Sequence, residues 1–135
     1  MSRRSRAREV ALQVLYQDDL NPAPEAVDPG EFVQARLVSD ELVSLATSLI
    51  DGVRRNRLEL DQLLESTADN WALSRMAATD RNVLRIGAYE IVYTSTPNRV
   101  AINEAVELAK RFGAAQSPHF VNGVLDRILA ESGNA

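Results

Sequence analysis

Arg3, Arg4, Arg6 and Arg8 fall within the first eight residues, a segment that contains no acid. Each guanidinium is a planar fork of N–H donors matched to phosphate oxygens, and it also stacks on flat rings. Four of them where a helix begins place positive charge beside the positive end of the helix dipole. That disfavours the helix and suits an anionic partner. Two rings could complete a site for a single nucleic-acid strand. Tyr16 lies about two turns beyond the arginines, at the margin of an apolar stripe. Phe120 flanks another stripe, next but one to Asn122. Unpaired bases are held by stacking on aromatic or guanidinium planes, and an amide both donates to and accepts from base edges. For each ring a second reading stands, a boundary core residue with one face covered.

Lys110, Arg111 and Gln116 extend the same chemistry, since all three lie outside the apolar faces around them. Gln116 is uncharged where an acid would repel phosphate. Fourteen arginines against one lysine favour planar recognition over point-charge attraction. The net charge of −4 taken alone argues against nucleic acid. Its distribution argues otherwise. From Glu9 to Asp51 nine acids stand against the single base Arg36, so the chain is strongly dipolar. A basic end can hold phosphates while acidic surface meets a basic protein; the alternative for the acids is ordinary solvated helix faces.

Reactive groups for catalysis are scarce. His119 is the only histidine and there is no cysteine, so thiol chemistry and histidine-rich or cysteine metal sites are excluded. No glycine-rich phosphate loop occurs. Glu104 and Glu107 have ion-binding spacing, yet no second acid–histidine motif completes such a site. Neither enzymatic activity nor a metal or other cofactor is expected.

The elements that must position these residues are helical. Ala7, Val10, Ala11, Val14 and Leu15 recur at helical spacing and predict a helix over 5–20, with a loop from Asn21 to Gly30. Leu42, Leu45, Ala46, Leu49, Ile50 and Val53 predict a second over 39–57, with an earlier start near Phe32 open. Leu58 to Leu64 support a short third, and Trp71 to Met76 one or two turns. A long helix capped by Thr79, with Asp80 in its first turn, is apolar on most sides and belongs in the middle of a bundle. Gly87 within it costs about 1 kcal/mol against alanine, which points to close approach of a neighbouring backbone. Ala101, Ala105, Leu108 and Phe112 mark the next helix, ended by Gly113. Ser117 and Pro118 then open the last as N-cap and first-turn proline. The fold class is all-α, a compact bundle of about six or seven helices forming a single domain over 1–135. No apolar run is long enough to span a membrane and no signal peptide is visible, so a cytoplasmic location is expected.

The order of several residue blocks is diagnostic. Val100-Ala101-Ile102-Asn103-Glu104-Ala105 leads to Glu107-Leu108-Ala109-Lys110, Phe112-Gly113 and Phe120-Val121-Asn122-Gly123-Val124-Leu125-Asp126. Upstream, Val83-Leu84-Arg85-Ile86 precedes Tyr89-Glu90, and Arg6-Ala7-Arg8-Glu9 precedes Leu15-Tyr16. In this order the blocks resemble the NusB family of bacterial transcription antitermination factors over nearly the whole chain. The resemblance implies two small helical subdomains on a shared core. It also implies binding of boxA-like single-stranded RNA in nascent ribosomal transcripts through the arginine-rich N-terminus, Tyr16 and Phe120. The implied partner is the ribosomal protein NusE, with RNA polymerase engaged indirectly and termination suppressed. Asp80 and Glu90 are the expected contacts for NusE. Ser5 interrupts the arginine run where relatives often keep arginine. Two other readings are an accessory domain of an RNA-modification system, disfavoured because no cofactor-binding domain appears before Ala135, and a protein-only homodimeric scaffold.

Overall fold

The computed structural model describes residues 3–21, 28–68 and 72–132. Among these residues the chain forms seven α-helices and one 3-10 turn, with no strand. The helices are α1 (Arg3–Leu20), α2 (Gly30–Arg36), α3 (Asp40–Arg55), α4 (Arg57–Thr67), α5 (Ala78–Tyr93), α6 (Asn98–Phe112) and α7 (Ser117–Glu131). The 3-10 turn, Leu73–Arg75, stands where one or two helical turns were expected; Trp71 lies outside the described residues, as does most of the loop expected from Asn21 to Gly30.

Local chemistry accounts for most boundaries. Ser39 has extended backbone and its hydroxyl accepts from the Leu42 N–H at 3.2 Å, so it is the N-cap of α3. The segment near Phe32 is a separate short helix, α2, rather than an early start of α3. Thr79 is not a cap: α5 begins at Ala78, and Thr79 and Asp80 both lie in its first turn. Ser117 is not the expected N-cap: it is the first residue of α7, after Gln116, and its hydroxyl instead accepts from the Ala114 N–H of the preceding turn at 2.9 Å.

α5 is the axis of the molecule. Residues Asn82 to Ala88 are buried without interruption. α1 and α3 pack on one side of α5, while α4, α6 and α7 pack around the rest. α1 is itself buried over most of its circumference from Ala7 to Leu15. A side chain on Gly87 would lie 2.6 Å from Leu125 Cδ1 and 3.2 Å from Ala105 Cβ. Neighbouring side chains of α6 and α7, rather than a backbone, therefore require that glycine. One contiguous core joins all the α-helices, and truncating a fully buried member such as Leu84 to alanine costs about 2–5 kcal/mol.

Candidate nucleic-acid interface

The basic end of α1 is divided by burial. Arg3 and Arg4 are exposed, and Arg4 reaches Glu41 of α3 at 3.1 Å across open surface, a contact of little energetic weight. Arg6 is half-buried and its Nη1 donates to Glu9 Oε1 at 2.8 Å. Arg8 departs from expectation. Its Nε and Nη2 donate to the two carboxylate oxygens of Glu90 at 2.8 Å each, and its Nη1 reaches Glu104 Oε1 at 3.4 Å. The Arg8 and Glu90 side chains are 3% and 1% exposed. Burial opposes the charge on Arg8, but hydrogen bonding and attraction to Glu90, and then Glu104, outweigh it and raise its pKa. Two expectations are corrected here. Arg8 is too buried to meet a phosphate, and Glu90 has no surface to offer a protein partner; the two charges neutralise each other inside the bundle.

The other cations come together through Glu9. Its Oε1 accepts from Arg6 of α1 and its Oε2 lies 3.9 Å from Arg111 Nη2 of α6. One largely buried carboxylate thus draws arginines of two helices to a common face, with Lys110 exposed alongside. Gly113 keeps the following turn tight, because a side chain there would lie 2.7 Å from Ser117 and 2.8 Å from the Ala109 carbonyl. The turn carries Gln116, exposed, back beside the end of α6. Beyond it Phe120 is half-buried with its ring packed on the core, and Asn122 is exposed, its amide donating to Asp126 at 3.3 Å. Phe120 thus combines both readings, one part core and one part surface.

Tyr16 belongs to a different place. With Gln13, Phe32, Arg36, Thr79 and Phe112 it lines a cleft of about 390 Å³ between α1, α2, α5 and α6, which Glu9 joins to the cation cluster. Arg36 covers the Phe32 ring, its guanidinium carbon 3.6 Å from the ring centroid. Phe112, expected in the core, is 40% exposed and carries Arg111 at 5.5 Å from its centroid. Sequence reasoning missed Phe32, Arg36 and Phe112. The signal available for Phe112 was its place as the last residue of its helix, where a stripe leaves the bundle. Asp80 sits half-buried beside Thr79, with one carboxylate oxygen buried and without a hydrogen-bond partner among the described residues.

Two acids expected on the surface are instead half-buried in ion pairs with arginines. Asp18 takes two bonds of 2.8 Å from Arg54, and Asp19 accepts from Arg57, Arg81, Asn82 and Arg85. Burial alone would raise the Asp19 pKa; the Arg81 hydrogen bond, the Arg85 charge and the remaining donors outweigh it and hold the carboxyl below its ordinary range. No cluster of three or more metal-ligating side chains occurs among the described residues, and none of the described helices is long and apolar enough to cross a membrane.

The chain is similar throughout to known proteins. A family model described as NusB family matches residues 5–130. The transcription antitermination protein NusB of Anaeromyxobacter dehalogenans is 46% identical over 132 residues, covering 96% of this chain and 92% of the relative. The solved structure of T. maritima NusB superposes with a TM-score of 0.83 at 33% identity, covering 97% of this chain and 92% of that one. A structure described as antitermination factors NusB and NusE in complex with dsRNA superposes with a TM-score of 0.83 at 28% identity, covering 97% and 98%. The matched span runs from the first turn of α1 to the last turn of α7, and with it the cation face, the cleft and the buried pairs described above: the chain belongs to the NusB family of transcription antitermination proteins.

Proposed function

We propose that this protein acts in the cytoplasm as a single, non-catalytic RNA-binding domain that takes boxA-like single-stranded RNA of nascent ribosomal transcripts together with NusE, and so joins RNA polymerase indirectly. The observation that carries the reading is the convergence of Arg6 and Arg111 on Glu9, with Arg3 and Arg4 exposed in the same turn of α1 as Arg6, and Lys110 and Gln116 exposed at the end of α6 and in the turn after it. Phosphates lie along this face, and Phe120 and Asn122 offer a ring edge and an amide to bases. NusE docks over the cleft lined by Tyr16, Phe32 and Phe112, with the half-buried Asp80, next in sequence to the lining residue Thr79, offering negative charge to a basic surface. Tyr16 then serves the protein partner as well as the RNA. The two sites share Glu9, so occupying one stiffens the other and each partner raises the other's affinity. Titration of labelled boxA, scrambled and double-stranded RNAs, with and without NusE, tests this. Preference for boxA that strengthens with NusE is the expected result; equal binding of all three RNAs would overturn it.

Self-association has one observation in its favour. Val92, Tyr93 and Val100 are exposed apolar residues on either side of the turn between α5 and α6. Sedimentation at two concentrations, with and without RNA, separates a pairing face from a monomeric binder.

A further inference from the structure

We propose that Glu104 of α6 is a positioning residue for RNA: it latches the first turn of α1 in the conformation that presents Arg3, Arg4 and Arg6. This rests on the reading that the turn is a phosphate site. The turn has physical reasons to fray. Its residues are Arg3, Arg4, Ser5 and Arg6, with no acid among them, so cations crowd the positive end of the helix dipole. Its first N–H groups also lack acceptors within the helix. Yet α1 is helical from Arg3.

Ser5 opposes the fraying. It is buried, and its hydroxyl donates to Glu104 Oε1 at 2.5 Å, across to another helix. The same oxygen receives Arg8 Nη1 at 3.4 Å, so Glu104 ties the turn to the buried Arg8–Glu90 pair. The Glu104 side chain is 23% exposed, at the rim rather than inside. Removing it leaves both 2.8 Å bonds between Arg8 and Glu90 intact. The tie is lost while the fold stands.

The sign of the effect separates a latch from a charge. A carboxylate among phosphate-binding arginines repels RNA, so on charge alone its loss would tighten binding. Loss of a latch weakens binding, because the turn must then be ordered by the RNA itself. Ser5→Ala breaks the same contact with no change of charge.

The experiment compares Glu104→Ala, Glu104→Gln and Ser5→Ala in the full chain, with single-stranded boxA-like RNA as the probe. Amide hydrogen exchange is measured without RNA. Glu104→Ala and Ser5→Ala are expected to speed exchange in the first two turns of α1 and to weaken RNA binding about three- to tenfold, the worth of one hydrogen bond. Glu104→Gln keeps an acceptor for the Ser5 hydroxyl and retains most of the affinity. The salt dependence should shift downward with unchanged slope, because the arginines still reach their phosphates once ordered. Unchanged exchange in Glu104→Ala overturns the latch, as does tighter RNA binding by both Glu104 variants. Faster exchange with unchanged RNA affinity also overturns it. In that case Arg4→Ala shows whether the phosphate-site reading falls too, since only a true phosphate contact lowers the slope.

Discussion

Glu90 receives a hydrogen bond on each carboxylate oxygen from Arg8, 82 residues earlier in the chain, at 2.8 Å each. A buried pair of this kind returns the cost of two desolvations only while both partners are present. Glu90→Ala leaves a buried guanidinium with Glu104 at 3.4 Å as its remaining carboxylate, and should cost about 3–5 kcal/mol of folding stability. Replacing both partners by apolar residues, Arg8→Met with Glu90→Leu, should recover most of that loss. Denaturant unfolding of the single and double variants checks the order. A single variant as stable as the double would mean that the pair does not anchor α1 to α5.

Arg3, Arg4 and Arg6 replaced together by alanine should bind RNA more weakly while remaining folded. Binding loses counterion release, so the slope of log affinity against log salt falls by about 0.7 for each phosphate contact removed. Folding gains because each cation near the positive end of the dipole costs about 0.3–1 kcal/mol. The lost Arg4–Glu41 contact is exposed and of little weight, whereas loss of Arg6 leaves the largely buried Glu9 with Arg111 at 3.9 Å and works against that gain. An unchanged salt slope in RNA titrations would remove this turn from the phosphate site. Arg8 is left in place because its loss would test the fold rather than the binding.

The helices were readable because apolar periodicity reports which residues turn inward. Ala7, Val10, Ala11, Val14 and Leu15 are all buried, as the spacing of the stripe requires. The all-α bundle and the axial place of α5 follow from the same signal. Charge carries no such mark. Arg8 and Arg3 are the same residue type five positions apart, and only the arrival of Glu90 and Glu104 from distant helices makes one of them internal. Asp19 looked like part of an acidic surface for the same reason; the arginines that surround it lie between Arg57 and Arg85. The cleft was hidden because its rings come from α1, α2 and α6, and Phe112 continues a stripe whose preceding members are core.

Acid should destabilise this fold partly through Asp19. Its folded carboxyl titrates below the ordinary value of 3.8 because donors from Arg81, Arg85 and Asn82 outweigh the effect of burial. A depressed folded pKa contributes stability that is fully present above the unfolded value and lost as pH falls through the folded one. Thermal melts should therefore show the contribution above about pH 4, with loss concentrated below it. Asp19→Asn should lower stability at neutral pH and flatten the decline in the acid range. Parallel melting curves for the variant and the parent across that range would show that Asp19 is not the group responsible.

Phe120→Ala should reduce both RNA affinity and stability, since the ring is half-buried against the core. The loss of affinity expected from one stacked base is about 1–3 kcal/mol. The loss of stability should fall short of the roughly 3–5 kcal/mol of a fully buried phenylalanine. Affinity is to be measured on the folded fraction, with a melt on the same sample. Intact affinity beside a large melting shift would make Phe120 a core residue alone.

Asp80→Lys should weaken NusE association more than it weakens RNA binding by the protein alone. Asp80 follows Thr79, which lines the cleft, and is half-buried, with one carboxylate oxygen buried without a hydrogen-bond partner among the described residues. The half-buried carboxylate still places negative charge at this end of α5, where a basic docked surface gains from it. The reversal of charge also acts locally, because an acid in the first turn of α5 stabilises the helix dipole by about 0.3–1 kcal/mol and a lysine opposes it. Asp80→Asn separates the two effects. It removes the charge without reversing it, so NusE binding should fall less than with lysine. The measurement is NusE affinity for the parent and both variants at two salt concentrations, alongside their melting temperatures. A loss with lysine that exceeds the local stability change, and that shrinks at high salt, places the partner at the start of α5. If the lysine variant binds NusE as tightly as the parent, the cleft is not its dock, and the exposed acids Asp40, Glu41 and Asp51 on α3 become the surface to test.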